Sequence, residues 1–177
     1  ALDAVATLKD GVALHGGFSG NEDRRWERDP STHETILVGN GASVVRILGL
    51  STTSRVDSFT VRYGAPGVDC VESESAVCNN KVELNLACLW NGNGISCTDS
   101  PCSILHNDII NNGSETSNSG GGISCSGGHP CAYIAENTIS DNMAGGNNGG
   151  AIFVEDSSPV IRDNEITGNY YANWGGG

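Results

Sequence analysis

The chain has 177 residues, room for one domain with a continuous core. Its 21 acidic and 9 basic residues leave a net charge of −12. That balance argues against nucleic acid and anionic lipid, whose phosphates need Lys and Arg, and against a polyanion such as pectate unless calcium bridges the two. With 25 glycines, three Phe and one Met, the composition suits short strands and tight turns better than helices, and no apolar run is long enough to cross a membrane as a helix.

At the N-terminus, Leu2, Val5, Ala6 and Leu8 fall at helical spacing. A short helix over residues 1–10 is expected to cap the open end of the repeats. No signal peptide opens the chain, so any export leader is expected to have been removed. The next stretch, from Gly16-Gly17-Phe18 to Gly39-Asn40, is the least repetitive. Its Glu22, Asp23, Arg24, Arg25, Trp26, Glu27, Arg28 and Asp29 read as a mixed-charge surface loop held by ion pairs.

From Val56 onward the chain repeats. Asn80, Asn107, Asn137 and Asn164 recur at spacings of 27, 30 and 27, each inside an apolar motif, and Asn85, Asn112, Asn142 and Asn169 follow five residues later. Gly94-Ile95-Ser96-Cys97 matches Gly122-Ile123-Ser124-Cys125 and then Ala151-Ile152-Phe153-Val154, and Phe59 occupies the asparagine slot of an earlier unit. Each unit holds three short apolar strands, too short to bury a core alone but able to do so stacked at about 4.8 Å per coil. The expected fold is all-β: a single-stranded, right-handed parallel β-helix of about six coils. It forms one domain, 1–177, with a cap over 1–10 and coils over 11–177. Asparagine at a repeated turn can hydrogen-bond the turn backbone and its own neighbours, so Asn80, Asn107, Asn137 and Asn164 are expected to form a structural ladder.

The seven cysteines include three close pairs, Cys70/Cys78, Cys97/Cys102 and Cys125/Cys131. None has zinc or redox-motif spacing. Local disulfides are expected, hence an oxidising compartment, with Cys88 left over. The C-terminal Asn173-Trp174-Gly175-Gly176-Gly177 resembles Asn118 to Gly122, which opens a coil. The chain is therefore expected to be a fragment of a longer repeat protein, with self-association through its open C-terminal coil or through Cys88.

These repeats resemble the right-handed parallel β-helix superfamily of pectate-lyase-like proteins. Gly16-Gly17-Phe18-Ser19-Gly20-Asn21-Glu22, with Arg24, Arg25, Asp29 and Thr35-Ile36-Leu37, is similar to the opening motif of many secreted bacterial β-helix proteins. Gly149-Gly150-Ala151-Ile152 is similar to repeats of polymorphic outer-membrane adhesins. The resemblance implies an extracellular or bacterial cell-surface location. The fold hosts lyases, hydrolases and adhesins alike.

Chemistry is sparse. Lys81 and Arg162 do not align with stacked acids as a lyase base would, no Asp-Asp pair exists, and Asp141, Asp163 and Glu165 are loose candidates for a glycosidase pair. Asp69, Glu72 and Glu74 form a weak acidic patch and the sole suggestion of a metal, calcium; otherwise no cofactor is expected. Trp90 and Trp174 sit in comparable turns near Tyr170 and Tyr171, and such aromatics can stack on sugar rings. The expected function is a structural, adhesive or glycan-binding module whose partner is a polysaccharide or cell-surface glycan, with a polysaccharide lyase or glycoside hydrolase as the alternative.

Overall fold

Runs of two to four residues become strands, and each pairs in parallel with its counterpart one repeat away. The computed structural model describes residues 4–49, 54–86, 93–115, 120–128, 133–145 and 149–171. Three sheets of six parallel strands run the length of the molecule. The first contains Ala6–Leu8, Val45–Leu48, Val68–Val71, Ile95–Thr98, Ile123–Ser126 and Ile152–Glu155. The second contains Ala13–His15, Arg55–Asp57, Ala76–Cys78, Ser103–Leu105, Tyr133–Ala135 and Val160–Arg162. The third contains Ile36–Val38, Thr60–Arg62, Lys81–Glu83, Asp108–Ile110, Thr138–Ser140 and Glu165–Thr167. A three-stranded sheet of Gly113–Ser114, Met143–Ala144 and Tyr170–Tyr171 flanks the later turns.

In-register pairing converts the sequence repeat into inward columns. Leu14, Val56, Val77, Ile104, Ile134 and Ile161 stack in the second sheet. Leu37, Val61, Val82, Ile109, Ile139 and Ile166 stack in the third. The middle members are fully buried, each worth roughly 1.5–3 kcal/mol of transfer free energy. Ile161 and Ile166 in the last strands are 43% and 44% exposed, since no further strand pairs with theirs in these sheets.

The corner between the second and third sheets takes two residues. Ser58, Asn79, His106, Glu136 and Asp163 occupy its first position in the left-handed region, with φ between 54° and 64°. The next residue of the four later turns is a ladder asparagine. Asn80, Asn107 and Asn137 each donate from Nδ2 to the Oδ1 of the next asparagine at 2.9–3.1 Å. Each also donates from Nδ2 to a carbonyl of the preceding turn, Val56, Val77 and Ile104 respectively. A second ladder through Asn85, Asn112, Asn142 and Asn169 repeats the pattern one corner on. Both end on backbone: Asn80 Oδ1 accepts from Phe59 N and Asn85 Oδ1 from Gly64 N.

One expectation about the fold needs correction. Ala6–Leu8 is a strand paired with Val45–Ile47, and among the described residues the one helical element is a 3₁₀ turn at Arg25–Glu27. Helical spacing loses here to a neighbouring strand that presents a row of unpaired backbone groups. The turns are also not equivalent along the axis: four carry both asparagines, and the two N-terminal ones lack them.

Candidate functional site

The first turn departs most from the repeat. Between His15 in the second sheet and Ile36 in the third, the chain makes the excursion of residues 16–35 instead of the short corner. It leaves through Gly16, where a Cβ would stand 2.1 Å from the Ser58 carbonyl oxygen, and Gly17, at φ +88° against Pro30. Only glycine fits both. Glu22 ties the outer bend by accepting from Ser19 N, Gly20 N and Asn21 N at 2.7–3.0 Å. The Ser19 amide first, then the Ser19 hydroxyl and the Gly20 amide, hold its carboxyl down at about 2. At the base, Asp29 N donates to the Gly17 carbonyl, and the Asp29 carboxylate accepts from Ser31 N and Oγ.

Arg28 pins the excursion to the stack. Its Nη1 donates to the Gly16 carbonyl and its Nη2 to Asp57 Oδ1, both at 3.1 Å. Asp57 is buried and also accepts from Arg55 Nε at 2.8 Å, Ser58 Oγ at 2.5 Å and Asn79 Nδ2 at 3.4 Å. Desolvation pushes its carboxyl up, but the Ser58 and Arg28 bonds outweigh it and the net shift is downward. His15 lies beside this group, with Nδ1 3.9 Å from Asp57 Oδ2, beyond hydrogen-bond reach. That Nδ1 is buried without a hydrogen-bond partner, while Nε2 stands 3.3 Å from Arg25 Nη1. Burial and then the Arg28 charge lower the His15 pKa, so the ring is neutral at pH 7.

These residues enclose a cleft of about 420 Å³ lined by Ala13, His15, Arg25, Trp26, Arg28, Arg55 and Asp57. Trp26 is 72% exposed, with the Arg24 guanidinium 5.2 Å from its ring centroid. Three guanidiniums against one carboxylate make the lining locally positive on a chain of net charge −12.

A second cluster lies in the core. Cys70, Cys97 and Cys125 occupy one inward column of the first sheet, in register with Ile47 and Val154. The Sγ atoms of Cys70, Cys97 and Cys102 lie within 4.8 Å of one another, all buried, and Cys97 and Cys102 are 2.8 Å apart. Cys78 does not turn toward Cys70. It stands in the second sheet with its thiol directed at the Val56 carbonyl, and burial pushes that thiol up to about 11.

The other sequence candidates are scattered. Tyr170 is half-exposed on the three-stranded sheet. Trp90, Trp174, Cys88, Cys131 and the Tyr171 side chain lie outside the described residues. Asp69 is buried on Arg46 Nε at 3.1 Å, whereas Glu72 and Glu74 are exposed. Lys81 is tied to Glu83, and Arg162 to Asp163 and Tyr133. Sequence reasoning saw the charged excursion but missed its partners. The available signal was Arg55 and Asp57, two ionisable residues flanking the inward Val56.

A family model described as "Periplasmic copper-binding protein (NosD)" matches residues 19–176, from the Glu22-tied bend to the terminal glycines. No curated protein and no solved structure matches the chain significantly.

Proposed function

The chain belongs to the NosD family, and from that premise we propose that it is a cell-envelope β-helix module that binds a saccharide in the cleft beneath the 16–35 excursion. The family's periplasmic description agrees with such a location. The observation that carries the reading is Trp26, which offers most of its ring to solvent at the mouth of a cleft lined by fixed polar groups. Exposed indoles stack on sugar rings, and neighbouring donors orient them. The reading is one of binding without turnover. A glycosidase needs two carboxyl groups roughly 5–10 Å apart, and Asp57, the one carboxylate in the lining, is already engaged by four donors. Calorimetric titration with envelope and plant-wall oligosaccharides tests it. Binding that falls at least tenfold in Trp26→Ala, with no new reducing ends or unsaturated products, is expected; equal binding by Trp26→Ala rejects the cleft.

A second reading rests on the three core sulfurs. The family is described as copper-binding, and thiolates select Cu(I). Cys70, Cys97 and Cys102 fit that ion in donor type, number and shielding from water, and would hold it as a buried soft-metal centre, each giving up its proton. Sulfurs sharing a metal stand roughly 4 Å apart, whereas a disulfide bond spans about 2.05 Å. The 2.8 Å separation of Cys97 and Cys102 lies between the two. Anaerobic titration of the reduced chain with Cu(I) against a chromogenic chelator decides. One ion per chain, lost in Cys97→Val and kept in Cys78→Ser, supports the centre. Full uptake by Cys97→Val, or a Cys97–Cys102 disulfide that survives the reductant, rejects it. Valine is suited to the column, which already holds Ile47 and Val154.

A further inference from the structure

The cleft's charge narrows the class of saccharide. Arg28 is spent on the Gly16 carbonyl and Asp57, and Arg55 commits its Nε to Asp57. Arg25 is different. It makes no ion pair among the described residues; its Nη1 faces the neutral His15 ring, and it shares the cleft lining with Trp26. A guanidinium left without a carboxylate beside an exposed indole is a fork for a planar anion next to a platform for a ring. The buried, unpartnered Nδ1 of His15 marks the same wall.

We infer that the cleft selects a saccharide bearing a single acidic substituent, whose anion Arg25 takes while the adjoining sugar ring lies on Trp26; this rests on the reading of the cleft as a saccharide site. Screening limits the field a ligand feels to about 8 Å at physiological salt. One acidic group held at Arg25 therefore meets the positive lining. A chain of acidic residues running on along the excursion meets Asp23, Glu27 and Asp29, exposed carboxylates of the same segment. The preferred ligand carries an isolated acid among neutral sugars, binds without calcium, and outcompetes a polyuronate.

The test is an array of matched oligosaccharides, each neutral, with one glucuronate, or with one sulfate, beside an oligogalacturonate, read with and without a calcium chelator. At least tenfold tighter binding of the singly acidic forms than of the neutral forms is expected, whichever acid proves better. Arg25→Gln should erase that preference, so that the variant binds the singly acidic and neutral forms alike. The residue is exposed, so the variant should fold, and unchanged circular dichroism checks this. Equal binding of neutral and acidic forms, a preference surviving in Arg25→Gln, or a calcium-dependent preference for oligogalacturonate overturns the inference and leaves the saccharide reading standing. Binding of none of the sugars overturns both.

Discussion

Single residues in this chain are held in conformations that their side chains do not favour. Glu136 is exposed at φ +57° in the sheet-to-sheet corner, and its contact with His106 is a surface pair of small worth. A left-handed non-glycine residue costs about 1–2 kcal/mol, and glycine's extra chain entropy returns roughly half of any gain. Glu136→Gly should therefore be neutral or stabilising by up to about 1 kcal/mol, and Glu136→Val destabilising, by urea midpoints. Titration supplies a second expectation. His15 has its pKa lowered below the 6.5 of an unfolded chain, so below 6.5 the unfolded state binds the extra proton. Stability should fall with pH from 6.5 down to the lowered value, and His15→Gln should flatten that segment. Asp57 acts in a separate window: its contribution is present above the unfolded value of 3.8 and is lost as pH falls through its depressed folded value. Neither effect was legible in sequence, because His15 and Asp57 lie 42 residues apart and meet only through register.

At the scale of elements, strands of three residues survive because the ladders fasten the corners between them. Replacing Asn112 with Ala removes the acceptor of Asn85 N and Nδ2 and the donor to Val82 O and Asn142 Oδ1. Several buried groups are then left unpaired at about 1–3 kcal/mol each, so Asn112→Ala should cost at least about 3 kcal/mol. Asn169→Ala, at the more exposed end, should cost clearly less in the same denaturation assay. This layer was readable beforehand, since Asn-x4-Asn spacing and the Ile/Val columns repeat in the sequence and each repeat meets the same neighbours. The N-terminal segment was misread for the converse reason. Its apolar residues fit a helix locally, and only the unpaired edge at Val45–Ile47 turns them into a strand.

As a whole the molecule is close to one-dimensional, each turn contacting the turns above and below, so stability is shared between neighbours rather than pooled. Amide hydrogen exchange should be slowest around Ile104, Ile109, Ile134 and Ile139 and should quicken toward Val160–Arg162 and Glu165–Thr167, whose column residues face solvent; equal protection along the axis would contradict this picture. The same geometry governs where the chain can change its length. From Val77, Ile104, Ile134 and Ile161 the corner with the ladder asparagine advances by five residues to the next sheet, and the Val56-to-Val61 corner, where the ladder ends on Phe59 N, keeps the same step. In the first turn, beyond the last asparagine, the step from Leu14 to Leu37 is 23. Insertions and deletions among related genes should thus be barred from this edge wherever asparagines stack and free to accumulate where the stack stops. The excursion that forms the cleft occupies the one stretch of that edge open to such growth.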